Sequence, residues 1–261
     1  MDRQDQNTQN IQSTGLLESV GNFIARKGRR VWPLTVLDKA RIAPRMTRVR
    51  FIGPDLDELV WKRGQDVVLE IPNREGGFAR RHYTIRHHDA EKRMLVIDFA
   101  LHGEGASGPW LDDLKCGDEV NAVGPRGHTL VNADADWHLF TGDETCIPGI
   151  FAMIESLPAD ARAYAFIEIG SDADRLPLEA EADARLTWLS RGGRDAAPSR
   201  IVFDAVEKFD FPQGRGHAYV IGETSNVRAL RHRLLKRGFA RDQICAEGYW
   251  RPGRVGGHDH V

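Results

Sequence analysis

From Val31 to Val131, apolar residues recur at every second position in short runs broken by glycine and proline. This is the period of strands with one buried face. The runs predict strands over 31–42, 47–53, 67–71, 82–87, 94–102 and 119–124. Strands so short and so closely spaced predict a closed antiparallel β-barrel. After the fifth strand, the small residues Gly103 to Pro109 open what reads as one short helix ending near Leu114. From Trp137 the period changes. A strand over 138–141 leads into a helix with Ile147, Ile150, Phe151, Ile154 and Leu157 on one face. Further strands are predicted over 163–169, 185–189 and 218–221, the last followed by an Arg-rich helix over 225–237. Alternating strands and helices predict an α/β domain built on a parallel sheet. Ahead of the barrel, Leu16, Leu17, Val20, Phe23 and Ile24 lie at helical spacing and predict an amphipathic helix ending at Arg30 and packing onto the barrel.

The pattern divides the chain into a polar tail and amphipathic helix (1–30), a barrel domain (31–134), an α/β domain (135–254) and a flexible tail (255–261). With 261 residues, 41% of them hydrophobic, the chain can fill two cores. Its 36 basic and 38 acidic residues leave a net charge of -2, and no basic run exceeds Lys27-Gly28-Arg29-Arg30. That balance carries no electrostatic footprint for nucleic acid, so attraction to a charged substrate must be local. Cys116, Cys146 and Cys245 are widely spaced without a CxxC pair, which suits a reducing compartment, the cytoplasm, and argues against zinc or iron-sulfur ligation. The histidines are scattered; His87 and His88 face opposite ways on a strand, and His258-Asp259-His260 reads as a frayed end. Residues 1–13 have neither a basic start nor an apolar core, and no window reaches eighteen apolar residues, so neither a signal peptide nor stable membrane insertion is expected.

The candidate chemistry centres on Arg80-Arg81-His82-Tyr83-Thr84-Ile85-Arg86. On a strand, Arg81, Tyr83 and Ile85 share one face and His82, Thr84 and Arg86 the other. A guanidinium can clamp a pyrophosphate, a phenol ring can lie on a flat heterocycle and a hydroxyl can bond a ring nitrogen, which together suit a flavin. An exposed edge strand with solvated arginines is the plainer alternative. The small residues at 103–109 either let a phosphate approach the start of a helix or form a solvated turn. A second candidate is Gly142-Asp143-Glu144-Thr145, between a strand and a helix with Pro148 in its first turn. A glycine turn there is where a dinucleotide pyrophosphate binds, although this is not GxGxxG. Asp143 and Glu144 would repel phosphate if turned inward, so they are expected to cap the helix or face ribose hydroxyls. Gly222-Glu223-Thr224 ends the next strand of the same crevice.

Arg81-His82-Tyr83-Thr84, His102-Gly103-Glu104-Gly105, Gly124-Pro125-Arg126-Gly127, Gly142-Asp143-Glu144-Thr145 and Gly248-Tyr249-Trp250-Arg251 occur in an order and spacing that resemble the siderophore-interacting protein family. Its members are flavin-dependent ferric-siderophore reductases of the ferredoxin-reductase-like superfamily, and the resemblance spans 31–254. It implies a two-domain fold, an N-terminal antiparallel β-barrel holding FAD and a C-terminal α/β domain holding a nicotinamide cofactor. It further implies Arg81 on the FAD phosphates, Tyr83 on the isoalloxazine and Thr84 near flavin N5, with His82 in the same run. His102, Gly105, Ala106 and Ser107 would line the rest of the FAD site. Gly142, Asp143, Glu144, Thr145, Gly222 and Glu223 would hold the nicotinamide cofactor. Ser190-Arg191 stands where such folds set a Ser-Arg pair against the adenosine 2′-phosphate, and no acid sits directly at that strand end, so NADPH is expected ahead of NADH. One departure is Gly105-Ala106-Ser107-Gly108-Pro109, where Gly-Pro-Ala-Ser is frequent. The expected reaction passes single electrons from FAD to a bound ferric siderophore, an anionic one, that itself holds the iron. Arg126 and Arg251 are the expected attractors. A flavin or ferredoxin reductase of the same architecture and a non-catalytic siderophore-binding flavoprotein are the alternatives; a monomer or weak oligomer is expected.

Overall fold

The computed structural model describes residues 30–72, 77–101, 107–253 and the backbone of 259–260. The expected amphipathic helix, the candidates His102, Gly105 and Ala106, and the histidine side chains near the C-terminus lie outside the described residues.

Seven strands form the first sheet: β1 (Val31–Ala43), β2 (Met46–Ile52), β3 (Asp66–Pro72), β4 (Phe78–Thr84), β5 (His87–Asp89), β6 (Met94–Ala100) and β7 (Glu119–Arg126). Their order is β4-β3-β7-β1-β2-β6-β5, all pairs antiparallel. The alternation places Leu34 and Val36, Val49 and Phe51, Val67 and Leu69, and Ile97 and Phe99 in one core. The predicted strand over 82–87 is in fact two strands, because Ile85 and Arg86 leave the ladder. Ile85 N donates to Gln65 O at 2.9 Å and Arg86 N donates to Val96 O at 3.0 Å. This two-residue corner therefore bonds next to β3 on one side and to β6 on the other, drawing the two edges of the sheet into a barrel. Helix α1 (Ser107–Asp113) follows β6, and Leu111 with Leu114 seals the core.

Acids stand at other strand positions, and two of them lie opposite arginines across the ladder. Arg48 lies directly opposite Asp98 and binds it through Nε at 2.7 Å and Nη2 at 2.8 Å. Arg80 lies opposite Glu70 and reaches Oε1 from Nε at 3.0 Å. An acid buried inside a sheet needs a cation or a full set of hydrogen-bond donors.

The second sheet contains β8 (Trp137–Asp143), β9 (Arg162–Ile169), β10 (Asp183–Ser190), β11 (Gly216–Glu223), β12 (Ile244–Trp250) and β13 (Asp259–His260), in the order β10-β9-β8-β11-β12-β13. All pairs but β12 with β13 are parallel. Helix α2 (Ile147–Ile154) packs on one face with Ile167 and Ile221, and Met46 of the barrel joins that core. Helices α3 (Ile201–Glu207) and α4 (Thr224–Lys236) cover the other face through Val202, Val206, Val227, Leu230 and Leu234. The chain moves outward from β8 to β9 and β10, then returns to the other side of β8 as β11. The carboxyl ends of β8 and β11 therefore flank a topological switch point, where open α/β sheets place their ligands. Among the described residues no helix is long and apolar enough to cross a membrane.

Several polar contacts join barrel and α/β sheet. Arg86 grips Glu155 at the end of α2 with two bonds of 2.5 Å. Arg45 binds Asp174 at 2.7 Å over Gly170, where any Cβ would fall 2.3 Å from the guanidinium. Thr129 donates to Glu247 at 2.9 Å. The linker between the sheets is fixed by Asn132, whose N–H donates to Tyr219 Oη at 2.8 Å, leaving that hydroxyl to face His138 Nδ1 at 3.3 Å. Burial, helped by nearby His217, lowers the His138 pKa from 6.5 to about 4. The unfolded chain thus takes up a proton between these values and the folded chain does not, so stability falls as pH drops through that window. The unfolding free energy from urea titrations should decline from pH 6.5 to 4, by up to about 3 kcal/mol from this residue. His138→Gln should flatten that slope; an unchanged slope would exclude His138 as its source.

Candidate functional site

Where the barrel meets the carboxyl ends of the parallel strands lies a cavity that opens to solvent. The barrel contributes Asp66, His82, Tyr83, Thr84, Asp98 and Ala100 from β3, β4 and β6. The α/β sheet contributes Thr145 and Pro148 from the turn into α2, and Tyr249 and Trp250 from β12. The Arg80–Arg86 run and the Gly142–Thr145 turn, well apart in sequence, thus face one space.

Tyr83 is half-buried, with its ring 4.4 Å from Phe99 and its hydroxyl donating to Ser107 Oγ at 2.5 Å. Burial raises its pKa to about 12, so it is a neutral donor at physiological pH. Thr84 is buried against Gly149 of α2, where a Cβ would lie 3.4 Å from the threonine, and it hydrogen-bonds Tyr249. Tyr249 is also held neutral by burial. Arg81 is half-exposed and donates to the Arg80 carbonyl at 2.9 Å. His82 Nδ1 faces Asp66 Oδ2 at 2.7 Å, and Arg126 approaches both, with Nη1 3.4 Å from His82 Nε2 and Nε 3.5 Å from Asp66 Oδ1. Asp66 Oδ1 is buried without a hydrogen-bond partner. Aromatic walls, two threonine hydroxyls and an unsatisfied acceptor suit a flat, partly polar ring such as the isoalloxazine of FAD.

The turn after β8 is organised by the buried Asp143. Its Oδ1 accepts from Thr145 N at 2.9 Å and Thr145 Oγ1 at 2.6 Å; its Oδ2 accepts from Glu223 N at 3.1 Å and Trp250 Nε1 at 2.9 Å. Burial, with Glu144 beside it, raises the Asp143 pKa above the ordinary carboxylate value. Gly222 is needed here, since φ is +127° and a Cβ would stand 2.8 Å from Asp143 Oδ2. At Gly142 a Cβ would lie 2.7 Å from Cys146 Cβ, so this glycine serves helix packing. Glu223 caps α4 by accepting from Asn226 N at 2.9 Å.

Arg191 of the expected Ser-Arg pair is 5% exposed and bonds Glu144 at 2.7 and 2.5 Å, with Glu168 at 3.4 Å. Ser190 Oγ is turned to its own loop, accepting from Gly192 N at 3.2 Å. Arg126, one of the two expected attractors, has Nε 3.5 Å from buried Asp66. Arg251, the other, is exposed and follows β12. Asp66 and Asp98 escaped the sequence reading, although an acid inside an otherwise apolar strand was the available signal. Tyr249 and Trp250 were noticed only as part of a motif. Among the described residues no cluster of three or more His, Cys, Asp or Glu could hold a metal.

A flavin-type barrel joined to a parallel sheet, with a cavity at the switch point, defines a two-domain fold of the ferredoxin-reductase-like class. A ferredoxin NADP+ reductase from Neisseria gonorrhoeae with bound FAD and NADP shares the fold, with a TM-score of 0.66, 17% identity and coverage of 84% of this chain and 99% of that one. Within the class, the chain belongs to the siderophore-interacting protein family. The family described as siderophore-interacting protein matches residues 135–253, and the siderophore-interacting FAD-binding domain matches 68–129. The ferric vibriobactin reductase ViuB of Vibrio cholerae is 30% identical over 251 residues, covering 86% of this chain and 92% of that protein. A siderophore utilization protein from T. fusca superposes with a TM-score of 0.80 at 33% identity, covering 87% of this chain and 94% of that one. FAD is thus the flavin of the barrel domain, and the chain is a siderophore-related oxidoreductase.

Asp143→Asn turns an amide N–H₂ toward donors that now meet an oxygen. It should cost about 2 kcal/mol or more and shift Trp250 fluorescence, because the indole loses its acceptor. An unchanged thermal midpoint and spectrum would show that the carboxylate does not organise the turn.

Proposed function

We propose that this protein is an NAD(P)H-dependent ferric-siderophore reductase of the cytoplasm, taking an anionic ferric chelate and releasing ferrous iron. The observation that carries this reading is the shared cavity, in which the Tyr83-Thr84 wall of the barrel faces the carboxyl ends of the α/β strands. Bound FAD would supply the conversion between a two-electron hydride donor and a one-electron acceptor. The protein's part is placement. Arg81, beside the cavity and half-exposed, would pair with FAD phosphates, and Tyr83 and Thr84 would set the ring's edge through a neutral phenol and a hydroxyl. The turn at Gly142–Thr145 and the Gly222-Glu223 end of β11 would seat a nicotinamide dinucleotide, NADPH or NADH. No protein acid or base is required at the iron. The open side of the cavity would admit a bulky chelate, and Arg251, next in sequence to the lining Trp250, would attract negative charge, while Arg126 faces Asp66 and His82. Hard oxygen ligands bind ferric iron tightly and ferrous iron weakly, so reduction loosens the metal.

Incubated with NADPH, the holoprotein should deliver ferrous iron from a ferric catecholate to a trapping chelator faster than it reduces free flavin or a ferredoxin. Faster turnover of either of the latter would place it with general flavin or ferredoxin reductases, and no turnover at all would mark a binding protein. The double replacement Arg81→Ala with Tyr83→Ala should lower the FAD content of the purified protein at least about tenfold, since phosphate pairing and ring contact are both lost; full retention would put the flavin elsewhere. Arg251→Ala should raise KM for an anionic catecholate complex about threefold more than for a neutral hydroxamate complex, with the gap closing in high salt. Equal effects on both would show a structural role for Arg251.

A further inference from the structure

The switch-point turn carries two buried acids, Asp143 and Glu144, where the two negative charges of a pyrophosphate would come closest. Asp143 is quenched by neutral donors, as described. Glu144 is quenched by a single group, Arg191, and both side chains are almost wholly sequestered, at 5% and 4% exposure. The other edges of the guanidinium are also committed: Nε donates to Arg194 O at 3.2 Å and Nη1 reaches Glu168, whose second oxygen accepts from Ser199 Oγ at 2.7 Å. Three strand ends are joined in this way, since Glu144 follows β8, Glu168 lies on β9 and Arg191 follows β10. A guanidinium so engaged would have to abandon a buried carboxylate before it could meet a phosphate, and an abandoned buried charge is the costlier state.

We propose that Arg191 is a positioning residue for the nicotinamide dinucleotide, holding the Gly142–Thr145 turn in place and cancelling the charge of Glu144, and that it does not read the adenosine 2′-phosphate. This rests on the nicotinamide reading above. Two consequences follow from charge alone. Loss of Arg191 exposes any approaching pyrophosphate to an uncompensated carboxylate, so phosphorylated and unphosphorylated cofactors suffer alike. Removing the Glu144 charge as well should undo most of that loss.

The test is calorimetric titration of the FAD-loaded protein with NADP+ and, separately, NAD+. In Arg191→Ala both dissociation constants should rise at least tenfold while their ratio stays within about twofold of wild type. The double variant Arg191→Ala with Glu144→Gln should return both to within about threefold of wild type, and Arg191→Lys, which keeps a cation for Glu144 without the planar fork, should also stay within threefold for both. The proposal is overturned if either Arg191 variant weakens NADP+ at least tenfold more than NAD+, or if the double variant recovers nothing. Should Arg191→Ala not fold, the Lys variant alone decides between these outcomes. Wild-type protein that binds neither nucleotide, yet reduces a ferric chelate after chemical reduction of its flavin, would remove the nicotinamide reading and this proposal with it.

Discussion

The site depends on one carboxylate. Asp143 sits at the end of β8 and accepts from the turn that starts α2, from the end of β11 and from the indole of β12. These three segments are neighbours through sheet order, and this side chain bonds all of them. A neutral residue could not accept four donors, and a charged one is tolerated in this depth because every lone pair is answered. The wall formed by Trp250, the cap of the α2 turn and the left-handed Gly222 are consequences of the same bonding set.

The same logic, buried acid first and cation second, recurs through the molecule. Asp98 is met by Arg48 across the ladder, Glu70 by Arg80, Asp66 by His82 and Arg126, and Glu144 by Arg191. A chain with nearly balanced charge can therefore carry many arginines near its site without offering them to a ligand. The near-neutral composition said that attraction must be local; the structure adds that most of the local cations are already engaged by the fold.

Much of this was visible in the sequence. Period-two alternation located β1, β2, β3, β6 and β7 to within a few residues, and the change to strand-helix alternation marked the parallel sheet. The corner at Ile85–Arg86 was invisible because Ile85 continues the alternation; only the transfer of backbone bonds from one neighbour to another breaks the strand. β12 was missed because Cys245, Ala246, Glu247 and Gly248 give it little apolar signal, and its place is set by pairing with β11. The ion pair of Arg191 was hidden for a related reason. Its flanking glycines look like an open loop, whereas its partners lie 47 and 23 residues earlier in the chain. Local pattern describes a residue's neighbours in sequence, and charge compensation is settled by neighbours in space.

The corner after β4 has a mechanical meaning for the whole molecule. Arg86 contributes its backbone to the seam of the barrel and its guanidinium to Glu155 on α2. One residue is thus both seam and bolt, and prying the two halves apart would pull directly on the stitch that keeps the cylinder shut. Hinge-like gaping is an expensive way to admit a guest in such a molecule. The space at the junction of the two sheets is therefore held at a fixed width, like a gauge and not like a jaw.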